Sequence, residues 1–213
     1  MTPKTTKRFT IDGPAGALEI ALDVPAHTPR GMALIAHPHP QQGGTLDNKV
    51  AQTLARAFVQ LGWRAVRFNF RGVGASQGVW DEGRGEIDDV LAVIGACRAL
   101  DADPTRPFML AGFSFGAYVA SQAAARLPDD ARPQRLVLVA PSTQKQQMPV
   151  VPADTLVIHG EADDVVPLIA TLDWARPQSL PVVVFPGVGH FFHGQLALLK
   201  NVVLQQLQRP SGI

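Results

Sequence analysis

A single cysteine, Cys97, stands in a chain of 213 residues, so no intramolecular disulfide can form and no cysteine-based metal cluster can be assembled. Its neighbours Val93, Ile94, Ala96 and Leu100 are apolar, the setting of a small buried hydrophobe rather than a reactive thiol. No apolar run approaches the ~18 residues of a membrane-spanning helix. The strongest, Leu136-Val137-Leu138-Val139-Ala140, has the length of a strand. Neither sign of charge is in excess, with 19 Lys and Arg against 18 Asp and Glu. These charges are scattered, so no basic stripe exists to neutralise phosphates, and nucleic acid is not an expected partner. Behind Lys4, Lys7 and Arg8 there is no apolar signal segment, because Ile11 runs at once into Asp12, Gly13 and Pro14. A cytoplasmic location is therefore the expectation. Internal repeats, low-complexity tracts and interdomain linkers are also missing, and a chain of this size is expected to form one domain over residues 1–213.

What the sequence does contain is a change of period. Leu18, Ile20, Leu22 and Val24 alternate with Ala17, Glu19, Ala21 and Asp23, which predicts an antiparallel strand with one wetter face. The turn Asp12-Gly13-Pro14-Ala15-Gly16 joins it to Lys7-Ile11 as a hairpin. After that the strands become short continuous apolar runs at 32–36, 65–70, 108–113, 136–140, 156–159 and 182–185, as expected of strands covered on both faces. Helix-spaced residues fill the gaps: Val50, Leu54, Phe58 and Leu61 before Gly62; Ile87, Val90, Leu91, Ile94 and Leu100; then 117–127, 168–175 and 196–207. Alternating strands and helices with right-handed crossovers predict an α/β fold: a mostly parallel eight-stranded sheet, an N-terminal antiparallel hairpin and helices on both faces. The connection between Ala140 and Leu156 carries two prolines and a glutamine-rich middle. It is too short for a lid domain, so a site beside it should be open to solvent.

Ligands of open α/β sheets bind where the strand C-termini meet their loops. Four such places carry chemistry. At Gly112-Phe113-Ser114-Phe115-Gly116 a strand turns sharply into a helix, and the flanking glycines let the turn lift the serine hydroxyl above the sheet edge. A serine needs a base to accept its proton during attack. His190, in Gly187-Val188-Gly189-His190, is the candidate base, and Asp163, after the strand ending near His159, is the candidate carboxylate to orient it. The chain order Ser, Asp, His is the one expected of a nucleophile on such an elbow. Asp164, the next residue, competes with Asp163, and His193, three residues further on, competes with His190.

The fourth place is His37-Pro38-His39-Pro40. An oxyanion needs preorganised backbone N–H groups. Phe115, directly after the serine, supplies one. Prolines 38 and 40 have no N–H, which leaves His39 as the favoured second donor. His37 and His39 could instead be read as metal ligands, but no carboxylate or cysteine stands nearby, and no metal or cofactor is expected. Phe191 and Phe192, beside His190, are expected to line an acyl pocket. Arg71, with Asp88 and Asp89, reads as a structural ion pair.

On these residues the chain resembles a small serine hydrolase of the α/β-hydrolase superfamily, and the likeness covers nearly its whole length. Asn69-Phe70-Arg71-Gly72-Val73-Gly74-Ala75-Ser76 is similar to the arginine-glycine turn that ends the fourth strand there. His37-Pro38-His39-Pro40 with Gly43-Gly44 and Asn48 resembles a lidless bacterial subgroup related to dienelactone-hydrolase-like and serine-aminopeptidase-like sequences. Dienelactone hydrolases proper carry cysteine at the elbow, so Ser114 argues against that activity. In place of the usual histidine-glycine oxyanion pair this chain has histidine-proline. The resemblance implies Asp163 as the acid, by its spacing to Val166-Pro167, and hydrolysis of a small-molecule acyl substrate, an ester or thioester. Amide or peptide cleavage is the nearest alternative, and a non-catalytic binding module on the same fold is the rival from another class.

Overall fold

Asn48 starts the first helix because its side-chain oxygen accepts from the Val50 and Ala51 N–H groups, at 2.9 and 3.3 Å. In α1 (Lys49–Gln60) the apolar residues Val50, Leu54 and Phe58 share the inward face and are buried. In the computed structural model, which describes residues 6–99, 101, 103 and 105–208, four more α-helices follow among the described residues. They are α2 (Arg84–Ala99), α3 (Phe115–Arg126), α4 (Leu168–Ala175) and α5 (Leu196–Gln208). Leu100, expected on the face of α2, lies outside the described residues.

The strands are β1 (Lys7–Gly13), β2 (Gly16–Asp23), β3 (Met32–Ala36), β4 (Arg64–Phe68), β5 (Phe108–Phe113), β6 (Arg135–Val139), β7 (Leu156–Gly160) and β8 (Val182–Phe185). They form one eight-stranded sheet in the order β1-β2-β4-β3-β5-β6-β7-β8. The hairpin β1–β2 is antiparallel, as is β2 against β4, and every other pairing is parallel. Alternate residues of each strand feed two cores. Leu34, Leu110 and Leu138 pack under α2 and α3 with Ile87, Val90 and Ala120. Ile35, Ala111 and Val137 pack under α1 and α5 with Leu54, Phe58, Leu199 and Val203. Each buried Leu, Ile, Val or Phe among these contributes about 1.5–3 kcal/mol relative to exposure.

Two strands depart from the sequence reading. The wetter face of β2 is not wet at its end: Asp23 is buried, held at 3.0 Å by the Arg67 guanidinium of neighbouring β4. The antiparallel neighbour brings a cation to that carboxylate and removes both from water. β8 is not covered on both faces, because it is the sheet edge and Val184 is exposed. The 141–155 connection is a loop without helix or strand, as its prolines predict.

Among the described residues no helix is long and apolar enough to cross a membrane. Cys97 packs against the core under α2, and burial pushes its thiol up to about 11.

Candidate active site

Two glycines make the elbow between β5 and α3 possible, each for a different neighbour. A Cβ on Gly112 would stand 2.2 Å from the Gly116 carbonyl oxygen, and one on Gly116 would stand 2.3 Å from that of Ala36 and 2.4 Å from that of His37. The first contact closes the turn; the second seats it against the end of β3. Ser114 between them has φ 57° and ψ −118°, a conformation that costs a non-glycine residue about 1–3 kcal/mol. Its backbone is clamped there. The Ser114 N–H donates to Val139 O at 2.9 Å, and its carbonyl accepts from the Ala117 and Tyr118 N–H groups of α3.

The acid turn follows β7. Asp163 Oδ1 accepts from the Val165 and Val166 N–H groups at 2.9 and 2.8 Å, which fixes the carboxylate before α4 begins. Burial alone would push the Asp163 carboxyl up, but the hydrogen bonds from His190 and from the two backbone N–H groups outweigh it and hold the group below its ordinary value. Asp163 therefore stays ionised. Asp164, its competitor, is exposed.

The loop after β8 is laced to that turn. Glu161 N–H donates to Phe185 O at 2.9 Å and Ala162 N–H to Val188 O at 3.0 Å, while the Glu161 carboxylate accepts from the Gly187 N–H at 2.8 Å. This brings His190 over the elbow, almost fully buried, with Nδ1 2.7 Å from Asp163 Oδ2 and Nε2 3.0 Å from Ser114 Oγ. An ionised carboxylate can only accept, so the proton sits on Nδ1. The Nε2 lone pair is then free to face the serine hydroxyl. This arrangement can take a proton from Ser114 and hold it as imidazolium against Asp163. His193 is exposed and lies off this line.

Phe115 begins α3, so its N–H has no intrahelical acceptor. The His37–Pro40 loop passes close by: the His39 ring packs 5.1 Å from Phe115 and 4.6 Å from Trp80. Among the described residues neither the Phe115 nor the His39 N–H takes a backbone acceptor. Both nitrogens of the His37 ring are committed inside the protein. Nδ1 donates to Pro38 O at 2.7 Å and Nε2 accepts from the Phe70 N–H at 3.1 Å. The His39 Nδ1 accepts from the Gln41 N–H. Both histidines thus hold their own loop in shape.

Phe191 is exposed and stacks edge-on against His190 at 5.0 Å. Phe192 is not. It takes φ 52° and turns into the core, fully buried, 5.4 Å from the Phe185 ring, so it cannot line an acyl pocket. The positive φ reverses its side chain relative to its neighbour. Arg71 forks onto Asp89 with 2.7 and 3.1 Å contacts, as a structural pair. His159, which the sequence places only at a strand end, approaches Asp163 Oδ2 to 3.4 Å. The one signal in the chain was its spacing of four from Asp163.

A hollow of about 380 Å³ opens beside His190, lined in part by Val165, Gly189, Phe191 and His193. A larger one, about 1140 Å³, lies between the hairpin and α1 and contains none of Ser114, Asp163 or His190. Its carboxylates Asp23 and Asp47 are already ion-paired to Arg67 and Arg8. Size does not locate the chemistry in this molecule.

A mostly parallel sheet with a serine elbow after its central strand, an acid and a histidine on later strand ends, and no lid define an α/β serine hydrolase. Comparison with known proteins agrees. The chain is 39% identical to XC6422 of Xanthomonas campestris, described as an α/β serine hydrolase without lid, over 100% of this chain and 99% of that one, with a TM-score of 0.89. It is 38% identical to an α/β serine hydrolase homologue of Coxiella burnetii, over 97% and 100%, with a TM-score of 0.85. A Rickettsia prowazekii protein, RP471, is 36% identical over 118 residues; that match takes in 55% of this chain and spans about half, 49%, of the relative's length. The family model for serine aminopeptidase, S33, matches residues 29–167, a stretch that includes Ser114 and Asp163. The chain belongs to this family of the α/β-hydrolase superfamily.

Proposed function

We propose that the protein cleaves a carboxylic ester or thioester of a small or short-acyl substrate, without a cofactor, through an acyl-enzyme on Ser114. One observation carries the reading: the unbroken hydrogen-bonded line from Asp163 Oδ2 through both His190 nitrogens to Ser114 Oγ. Ser114 Oγ attacks the carbonyl carbon while its proton passes to His190 Nε2. The resulting oxyanion is met by the N–H groups of Phe115 and His39, each such donor being worth about 3–4 kcal/mol in the transition state. As the intermediate collapses, His190 gives its proton to the departing alcohol or thiol. It then takes one from water, which attacks the acyl carbon and frees Ser114.

The loop at 141–155 supports a cleft open to solvent, and Phe191 supplies an apolar wall beside it. Both favour short, soluble acyl groups over emulsified lipid. Amide cleavage by the same groups would ask more of leaving-group protonation by His190.

The experiment is labelling with a fluorophosphonate probe, in the wild-type protein and in Ser114→Ala and His190→Ala. Labelling of the wild type alone is expected. A folded wild-type protein that stays unlabelled would instead point to a binding module. A chain-length series of nitrophenyl esters alongside acyl-CoA thioesters then tests the acyl preference, and a preference for emulsified long chains would overturn the open-cleft reading.

A further inference from the structure

A second imidazole sits against the Asp163 carboxylate. His159, at the end of β7, has no exposed surface. Its Nε2 lies 2.8 Å from Val166 O and 3.4 Å from Asp163 Oδ2. Its Nδ1 lies 3.2 Å from Thr171 Oγ1, which is in turn 3.0 Å from Thr143 Oγ1.

The direction of every proton in this line follows from one group. A carbonyl oxygen can only accept, so Nε2 carries the hydrogen that points at Val166 O. Burial pushes His159 below its ordinary value, toward the neutral ring, so Nδ1 is left as an acceptor. The Thr171 hydroxyl spends its one hydrogen on Nδ1, and Thr143 must then donate to Thr171. The order Thr143, Thr171, His159, Val166 allows no alternative.

Val166 is consequently held from both sides. His159 grips its carbonyl, and its N–H donates to Asp163 Oδ1 at 2.8 Å. The N–H and the carbonyl belong to the two peptide groups that meet at the Val166 Cα, so anchoring the carbonyl limits how far the N–H can swing from the carboxylate. The same nitrogen lies 3.4 Å from Oδ2, the oxygen that receives the His190 Nδ1–H.

We propose that His159 is a positioning residue: it holds the backbone of Val166, and through it the Asp163 carboxylate, in the orientation that aims His190 at Ser114. The inference rests on the triad reading above. Because Thr143 belongs to the 141–155 loop, the hydrogen-bonded line reaches from that loop to the acid.

Three replacements separate this role from simple filling of space. The amide N–H of Gln reaches the place of Nε2, that of Asn reaches only the place of Nδ1, and Leu donates nothing. The measurements are kcat and KM on a soluble nitrophenyl ester for wild type, S114A, H159Q, H159N and H159L, with folding checked by circular dichroism. The far-downfield proton resonance of the His190–Asp163 hydrogen bond is recorded alongside. H159N and H159L are expected to lose roughly 10- to 100-fold in kcat, as misplaced catalytic groups do, and to displace the resonance. KM should stay within about twofold, the sign of an interaction used in the transition state. H159Q is expected to recover most of both kcat and the resonance.

Folded variants that all keep wild-type kcat and resonance would overturn the proposal. So would equal losses in H159Q and H159N, which point to packing alone. Should H159L not fold, the Gln and Asn pair decides. Failure of the triad reading looks different: wild type and S114A would then turn over the ester equally.

Discussion

Gly160 lies so close to Val188 that a Cβ added to it would stand 2.2 Å from the Val188 carbonyl oxygen. This contact joins the end of β7 to the loop that carries His190, and it is where the acid turn and the base turn meet. Gly160→Ala must push that loop away. We expect kcat/KM to fall roughly 10- to 100-fold from misplacement of His190, with about 1–3 kcal/mol lost in urea unfolding from the overpacking. Gly189→Ala is the matched control, since its Cβ would meet nothing closer than Ala162 O at 3.7 Å. Wild-type kinetics in Gly160→Ala would show that the two turns need not touch.

Asp163 and Asp164 are neighbours with opposite fates, one buried against His190 and the other exposed. Asp163→Asn keeps the shape but can present an N–H to His190 Nδ1 and favour the wrong tautomer. The expected loss in kcat is on the order of 10⁴. Asp164→Asn should leave kcat within about twofold, as a surface change does. Steady-state rates on one soluble ester decide between them, and comparable losses in both would remove Asp163 from its role.

The strain at Ser114 predicts a trade between activity and stability. Alanine keeps the Cβ that opposes φ 57°, whereas glycine does not. Both Ser114→Ala and Ser114→Gly should abolish fluorophosphonate labelling. Ser114→Gly should be the more stable by about 1 kcal/mol, read from denaturant midpoints at equal m-values. Equal midpoints would mean the elbow stores no strain.

The legibility of this protein in its sequence divides along physical lines. Strands buried on both faces must be apolar throughout, so β3, β5, β6 and β7 stand out, and Ser114, Asp163 and His190 follow at strand ends because ligands bind there. Side-chain direction inside a turn has no such period. Phe191 and Phe192 are adjacent and chemically identical, yet one meets solvent and the other Phe185, a difference set by the positive φ of Phe192. Asp23 reads as a wet residue because its partner Arg67 lies 44 positions away on another strand. His159 reads as a local strand end for the same reason: Thr171 and Thr143 approach it only in three dimensions.

Arg71 tests the structural side of the arginine-glycine turn. Its guanidinium reaches Asp89, whose carboxylate is fully buried, and its own backbone N–H donates to the same group at 3.0 Å. Arg71→Leu would strand that carboxylate. A loss of about 3–5 kcal/mol in urea unfolding is expected, whereas kcat of the protein that remains folded should hold within about twofold. A large fall in kcat with unchanged stability would instead bring Arg71 to the substrate.

Acid should weaken the fold through His37. Burial pushes this imidazole down to about 4, from the ~6.5 of an exposed histidine. Its Nε2 is occupied by the Phe70 N–H, so a proton there would also break that hydrogen bond. Between these two values the unfolded chain binds a proton at position 37 and the folded chain does not. Stability from this group is therefore complete above about pH 6.5 and is lost as pH falls toward 4, by up to about 3 kcal/mol. Urea unfolding at pH 7.5, 5.5 and 4.5 would measure it against His37→Gln, which can keep an acceptor near the Phe70 N–H but cannot titrate. The variant is expected to start less stable at pH 7.5 and to lose less on acidification, so the two curves converge. Parallel curves would mean that His37 takes up its proton in the folded state as readily as in the unfolded one.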